Sequence, residues 1–548
     1  MAFKKIIAVI LVGIMLFSAV GCGSDGDGTD NISSVQSGST ETTERSLSLL
    51  YSSSDSLDPY KAETLLNRQL SLLMYDPLVK LDSKLQPHFC LAKSVELDGK
   101  DCIITLNNAT FSDGSAVTAE DVVYSLKAAL KAGLTPYPEQ LSSIKKYSAE
   151  EDGTVKLTLT KADPYFANLL DFPIIKKGSD ELKDENNILL PPIGSGRYIF
   201  DAEDKLLTAN KQHISGAPSV TTVKLVNAPD SEVEKYNLEA GNVSLYYTDL
   251  ADGIIPPMSG NSCKVNLQNL VFMGVNLKNA YLKDARMRYA LASAVDRTAI
   301  AKEAYYEYAT PALGLFNSAW SDAGSLQNLT NSADLQNVVA IFKDIGYNSK
   351  DEEGFFVNSK GKTVTFKLVA FKDNARRAAA AELVKQQLEA AGIKVKLSLL
   401  DWDAYVKALQ SGDFDLYIAE VKLPDNMDVS ELVTSNGKLS YGIPDVTEND
   451  KNNKTDKNGK DQNTADKDKA DGDKTETDSG SYVPLLDGVV KAYYSGTASL
   501  VDIINAFNAE MPLIPLCHRQ GLTVGAPDIN VTDMSSVSDV YFGLANIK

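Results

Sequence analysis

An α/β fold is predicted for this chain, and three observations carry the prediction. Residues 364–421 read in the order strand, helix, strand, helix, strand, the alternation that builds an α/β lobe. Short runs with a period of two, as in 47–51, 155–160 and 220–226, mark strands with one buried face. At 548 residues the chain is too long for one compact core, so two or three domains are expected.

From the N-terminus, Lys4 and Lys5 precede an uncharged apolar run over 6–20. That run is shorter than the ~20 residues a membrane-spanning helix requires, and small residues follow it, which is the pattern of a secretory signal peptide. It closes on Ser18-Ala19-Val20-Gly21-Cys22, which resembles the bacterial lipobox and makes Cys22 the expected lipidation site. A plain signal peptide with an incidental cysteine is the alternative. Residues 23–45 are rich in Gly, Ser, Asp and Thr and read as a flexible tether.

The first strand follows at 47–51. Leu65, Leu66, Leu70, Leu72, Leu73 and Met74 suit a buried helix over 64–79. Segments 94–97 and 102–106 form a hairpin about Asp98-Gly99. Thr118, followed by Glu120 and Asp121, offers a hydroxyl cap and negative charge to the free N–H groups of a helix running to Leu130. A Pro/Gly-rich loop over 189–198 leads into a strand. Further strands are predicted at 270–277, 364–370, 395–399 and 415–421. Helices are predicted at 284–308, 338–345, 375–391 (stopped by Gly392) and 405–410. Residues 445–480 are Asp, Lys, Asn, Thr and Gly with almost no apolar residue, and read as a disordered polar insert. Pattern resumes at Tyr482, with a helix near 501–509 and a strand near 513–516.

Composition narrows the function classes. A net charge of -19 argues against nucleic acid, whose phosphates need clustered Lys and Arg. The cysteines Cys22, Cys90, Cys102, Cys263 and Cys517 make no CxxC pair and no disulfide framework. Cys90 and Cys102 read as core thiols. Three histidines, His88, His213 and His518, give a metal or catalytic histidine centre little to draw on, and no cofactor is expected. No Gly-x-Ser-x-Gly elbow occurs; Gly194-Ser195-Gly196 lacks that spacing, so no enzyme is predicted.

Several motifs stand in one order. They are Leu57-Asp-Pro59, Tyr75-Asp-Pro-Leu78, Leu91-Ala-Lys-Ser94, Phe111-Ser-Asp-Gly114 and the run Val117 to Ser125. Ile193-Gly-Ser-Gly196 with Tyr198, Asn276, the Val-Asp-Arg ending at Arg297, Gly392-Ile393, Gly412 to Asp415, and Pro512 to Pro515 follow. Together they resemble the family 5 extracellular solute-binding proteins of ABC importers, the peptide- and nickel-binding type. The resemblance spans roughly 47–545 apart from the polar insert. It implies a periplasmic-binding-protein-like fold: two α/β lobes around a ligand cleft, with an extra domain on the first lobe. The implied layout is lobe I over 46–265 with the extra domain at about 60–185. Lobe II covers 266–512 and holds the insert, and 513–548 returns to lobe I. The crossings fall near 266–270 and 510–515, and ligand binding closes the lobes about them.

A peptide site needs an acid for the amine and polar backbone edges for the chain. In oligopeptide binders an acid soon after Leu-Asp-Pro lines the cleft, and Glu63 holds that place; a solvated helix-start acid is the other reading. Tyr137 matches a cleft aromatic, or is a loop residue. Relatives carry Gly-Trp and then an amine-pairing Asp after the Gly412–Asp415 motif. Here Val421 replaces the Trp and the spacing differs, leaving Glu420 and Asp425 as the candidates. Tyr246 and Tyr247, near the first crossing, complete the ligand-binding set; Asp249 reads as a surface residue, and Trp320 and Trp402 as packing. The implied function is a lipid-anchored binding protein outside the cytoplasm, passing a peptide or other small solute to permease subunits of an ABC transporter. A membrane-anchored peptide sensor, and a binder of sugar or nickel, remain as alternatives.

Overall fold

The computed structural model describes residues 46–445 and 484–531, together with 536, 538–541, 543 and 544. The signal segment, Cys22, the tether and almost all of the polar insert lie outside the described residues.

Three sheets organise the chain. The strand Ser46–Tyr51 pairs in parallel with Thr222–Asn227, which continues antiparallel through Leu206–Ala209 to Tyr198–Asp201. A second four-stranded sheet, Ala92–Asp98, Asp101–Leu106, Val155–Leu159 and Ile144–Ala149, is antiparallel throughout. Apolar residues of both sheets and of the helix Ala119–Ala129 share one core. The third sheet runs in the order Leu245–Thr248, Leu513–Gly525, Asn261–Val275, Leu416–Lys422, Thr365–Phe371 and Lys394–Leu400, with Ala309–Pro311 also on Leu513–Gly525. Its two faces carry separate cores. Val271, Met273 and Val275 point into one, and Leu270 and Phe272 into the other. This alternation is what a strand buried on both sides requires.

The predicted strands and helices are present, with shifted ends. The helix expected over 64–79 is Leu65–Met74, capped by the Thr64 hydroxyl. Pro77 has no N–H to continue it and restricts the residue before it, and the strand Val79–Leu81 begins instead. The helix expected over 284–308 breaks after Ala285–Ser293. Asp296 accepts a bond from the Ala299 N–H and starts a new turn, Arg297–Ala299, followed by a wider turn, Ile300–Ala304. The break lets the fully buried Arg297 guanidinium donate to the Pro515 and Thr330 carbonyls. Cys90 and Cys102 are free thiols as expected, but only Cys102 is fully buried.

The largest difference concerns the two long strands. Asn261–Val275 starts well before residue 270, and Leu513–Gly525 runs well past 516. They pair antiparallel from Asn261 opposite Gly525 to Gly274 opposite Leu513. The ladder loses step between Asn266, opposite Gln520, and Leu270, opposite His518. Three residues of this bulge, Leu267, Gln268 and Asn269, face Arg519 alone.

Candidate functional site

Strands Thr365–Phe371, Lys394–Leu400 and Leu416–Lys422 lie parallel, so their carboxyl ends open at one edge of the sheet. In α/β sheets that edge is where ligands bind. Three segments leave it, over 374–377, 401–402 and 423–425. The bulge at Gln268 and Asn269 lies beside the last of them, since Asn269 pairs with Lys422.

Gln268 and Asn269, adjacent in the chain, serve two different polar clusters. Gln268 Nε2 donates to Asp425 Oδ1 at 2.9 Å. Asn168 Nδ2 donates to the Asp425 carbonyl at 3.0 Å. Asp171, half-buried, accepts a bond from Gln140 and faces Asp425. Burial first, and the Asp425 charge second, hold the Asp171 carboxyl above the ordinary carboxylate range; Lys422, exposed, pulls the other way. Tyr137 stands beside this pair, its hydroxyl pushed up by burial and by Asp171, with its ring edge-on to Tyr60 at 5.9 Å. This is an acidic cluster in which the two carboxylates bond neutral amides rather than a cation.

The second cluster is cationic. Glu420 Oε1 accepts from Arg519 Nη1 at 2.6 Å and from Asn269 Nδ2 at 2.8 Å. Arg519 also donates to the Asp249 carbonyl. Both members of the ion pair are shielded from water, and their charges balance. Tyr305 lies against them with its hydroxyl buried and unpartnered, within the influence of Glu420, Arg377 and Arg519. Arg376 bonds the Gly253 carbonyl at 2.9 Å and lies over the Tyr306 ring at 5.1 Å. Its Nε and Nη1, and Nε of Arg377, are buried with no partner. Buried donors left unpaired cost free energy and mark places where an acceptor is missing. Arg377 stacks over Phe371, against which Trp402 packs edge-on at 5.3 Å.

Of the six residues singled out in the sequence, Tyr137 and Asp425 each lie beside Asp171. Glu420 and Tyr247 meet at Arg519, which acts on both. Tyr246 turns away and donates to Glu234 at 2.5 Å. Glu63 is exposed, its backbone N–H held by Asp55 at 3.0 Å, and joins neither cluster. Asp249 is half-buried, with its carbonyl committed to Arg519, which departs from the surface reading. Trp320 is a packing residue, fully buried between Tyr165 and Phe316, whereas Trp402 is 53% exposed at the carboxyl edge. The sequence reading missed Asp171, Gln140, Gln268, Arg376, Arg377 and Arg519. Two signals were present: an acid inside the apolar run 167–175, and two arginines directly after a helix cap at a strand's carboxyl end.

Comparison with known proteins identifies the family and the fold. A sequence profile described as bacterial extracellular solute-binding proteins, family 5 Middle, matches residues 84–438. The oligopeptide-binding protein AppA of Bacillus subtilis (strain 168) is 27% identical over 390 residues, covering 65% of this chain and 70% of that protein. Two further curated relatives align over less than two thirds of their own length. Among solved structures, the unliganded open form of the periplasmic murein tripeptide-binding protein MppA superposes with a TM-score of 0.69 at 17% identity, covering 91% of this chain and 96% of that one. A nickel ABC transporter protein from Bacillus halodurans superposes with a TM-score of 0.68 at 16% identity, covering 90% and 98%. These likenesses establish the fold and leave the ligand open.

Proposed function

We propose, for a chain that belongs to the bacterial extracellular solute-binding proteins of family 5, that the solute is a peptide bound as a zwitterion and delivered to an ABC permease. The observation that carries this reading is that the carboxyls of Asp171 and Asp425 are each hydrogen-bonded by a neutral amide, Gln140 and Gln268, rather than by a cation. A ligand ammonium supplies the charge that pair lacks, with hydrogen bonds to both carboxylates. Glu420 is already neutralised by Arg519 and is a poorer partner for an amine. The unpartnered Arg376 and Arg377 donors suit a carboxylate, so the site addresses both ends of a short peptide. Tyr137 walls the amine end, and Trp402 with Phe371 offers an apolar face to a side chain.

In this reading the lobes meet along the two long antiparallel strands, and binding draws them together. The leader over 1–22 places the protein outside the cytoplasm. Lipid on Cys22 tethers it to the membrane through residues 23–45.

The test is native mass spectrometry of the chain from Gly23 onward, purified from cells, with bound species released and sequenced. Peptides of a narrow length range are expected. Asp425→Asn should weaken binding of such a peptide by about tenfold or more, as loss of one charge-assisted bond does. An empty protein whose melting temperature no peptide library shifts would overturn the peptide assignment.

A further inference from the structure

Two segments of the first core reach across to the second lobe's sheet. The first is the turn 82–86 between strands Val79–Leu81 and Pro87–Phe89. Val79 and Leu91, on either side, belong to the first core, yet Leu85 is 2% exposed and packs in the core with Phe316, Trp320, Met427 and Val429. Its backbone is left-handed, with φ 61°. A leucine pays for that conformation, and only surroundings that over-determine it hold it there. Asp82 shapes the turn, accepting from the N–H groups of Lys84 and Gln86 at 2.8 and 3.0 Å.

The second segment is the loop 161–168. Phe166 packs in the first core, while its neighbour Tyr165 turns the other way, edge-on to Trp320 at 4.9 Å. Around these two apolar knobs runs a polar rim. Gln86 donates to Ser321 at 2.7 Å and the Tyr165 hydroxyl to Asp322 at 2.8 Å. Asn426 donates to Asp163 at 2.6 Å, and Lys161 pairs with Asp428. An apolar centre with a hydrogen-bonded rim is the anatomy of a specific interface. One rim contact reaches the ligand pocket directly, the bond from Asn168 to the Asp425 carbonyl.

We infer that the turn 82–86 and the loop 161–168 form a clasp, which locks the first lobe onto the 425–430 loop and holds Asp425 in place before ligand arrives. The inference rests on the reading of Asp425 as the amine partner. Opening the lobes at this edge withdraws Leu85 and Tyr165 into water, so the clasp raises the fraction of ligand-free protein that is already closed. Apparent affinity scales with that fraction. Asn168 is thereby a positioning residue: it acts on the ligand through Asp425.

Hydrogen–deuterium exchange on the ligand-free chain from Gly23 onward tests the clasp without any ligand. In Leu85→Ala/Tyr165→Ala, exchange over residues 425–433 should speed up by about tenfold, the share of closed protein lost, while the strand Thr365–Phe371 keeps its protection. If that variant fails to fold, the rim variant Gln86→Ala/Lys161→Ala, which leaves the segment 425–433 itself unchanged, should show the same local rise. Unchanged exchange over 425–433 in a folded variant would overturn the clasp. The positioning role is read separately, by titration with the peptide recovered from the wild type. Asn168→Ala should lose about tenfold in affinity with Thr365–Phe371 still protected, and an unchanged affinity would overturn it. If no peptide is recovered and no peptide library shifts the melting temperature, but the exchange rises as expected, the clasp stands and the ligand assignment falls.

Discussion

Asp425 and Glu420 lie five residues apart and differ in one physical respect, whether a cation already answers them. Glu420 has Arg519; Asp425 has an amide and a second carboxyl. The sequence offers no means of telling them apart, because Arg519 is 99 residues from Glu420 along the chain. The same pair predicts a pH response. The raised Asp171 carboxyl takes up a proton before an ordinary carboxylate does, and the protonated form gives up its attraction for an ammonium. Affinity for a peptide with a free amine should therefore fall as pH is lowered from neutrality, and Asp171→Asn should flatten that profile in calorimetric titrations. Folding stability runs in the opposite sense. A carboxyl raised in the folded state favours folding while it is protonated, and that contribution is lost as pH rises through its folded pKa.

Elements here start and stop for local reasons and then meet for non-local ones. Thr118 and Asp121 form a reciprocal capping box on the helix Ala119–Ala129, a pattern legible in the sequence. The Gly194-Ser195-Gly196 turn was legible as a motif, but its purpose was not. A Cβ on Gly196 would lie 2.3 to 2.6 Å from backbone atoms of Leu73 and Met74, and one on Gly194 would lie 2.2 Å from the Met74 carbonyl oxygen. The turn seats the end of the helix Leu65–Met74, where the Gly196 N–H bonds the Met74 carbonyl at 3.0 Å. Gly196→Ala should thus destabilise the protein by about 3 kcal/mol or more, the scale of overpacking against rigid backbone. Urea unfolding measures this, and a loss below about 0.5 kcal/mol would show that the helix end yields.

At the scale of the molecule, the long strands Asn261–Val275 and Leu513–Gly525 run from the first core, where Val265 packs, to the two cores of the third sheet. Arg519 sits at their bulge and ties Glu420, on a neighbouring strand, to the Asp249 carbonyl. Arg519→Met should cost about 3 kcal/mol in urea unfolding, since it strands a shielded carboxylate. Arg519→Met/Glu420→Leu should recover most of that loss, because an apolar pair replaces a charge left without its counter-ion. A double variant no more stable than the single one would mean that the bond to Asp249, rather than the charge balance, carries the effect.

Periodicity alone determined the α/β class, the helix over 375–390, the strands around it and the capped helix after Thr118. Those signals lie within one turn or one strand, where the chain's own spacing sets which side is buried. Tertiary structure decided how far the two crossing strands extend and which acid remains free. Leu513–Gly525 is buried along nearly its whole length, with His518, Arg519 and Gln520 in its middle, and shows no clean alternation to measure. The acidic cluster joins residues 140, 171, 268 and 425, and Leu85 looks like an ordinary turn residue until Trp320, Met427 and Val429 pack over it. Burial and charge balance depend on what folds against a residue, and those neighbours come from segments far away in the chain.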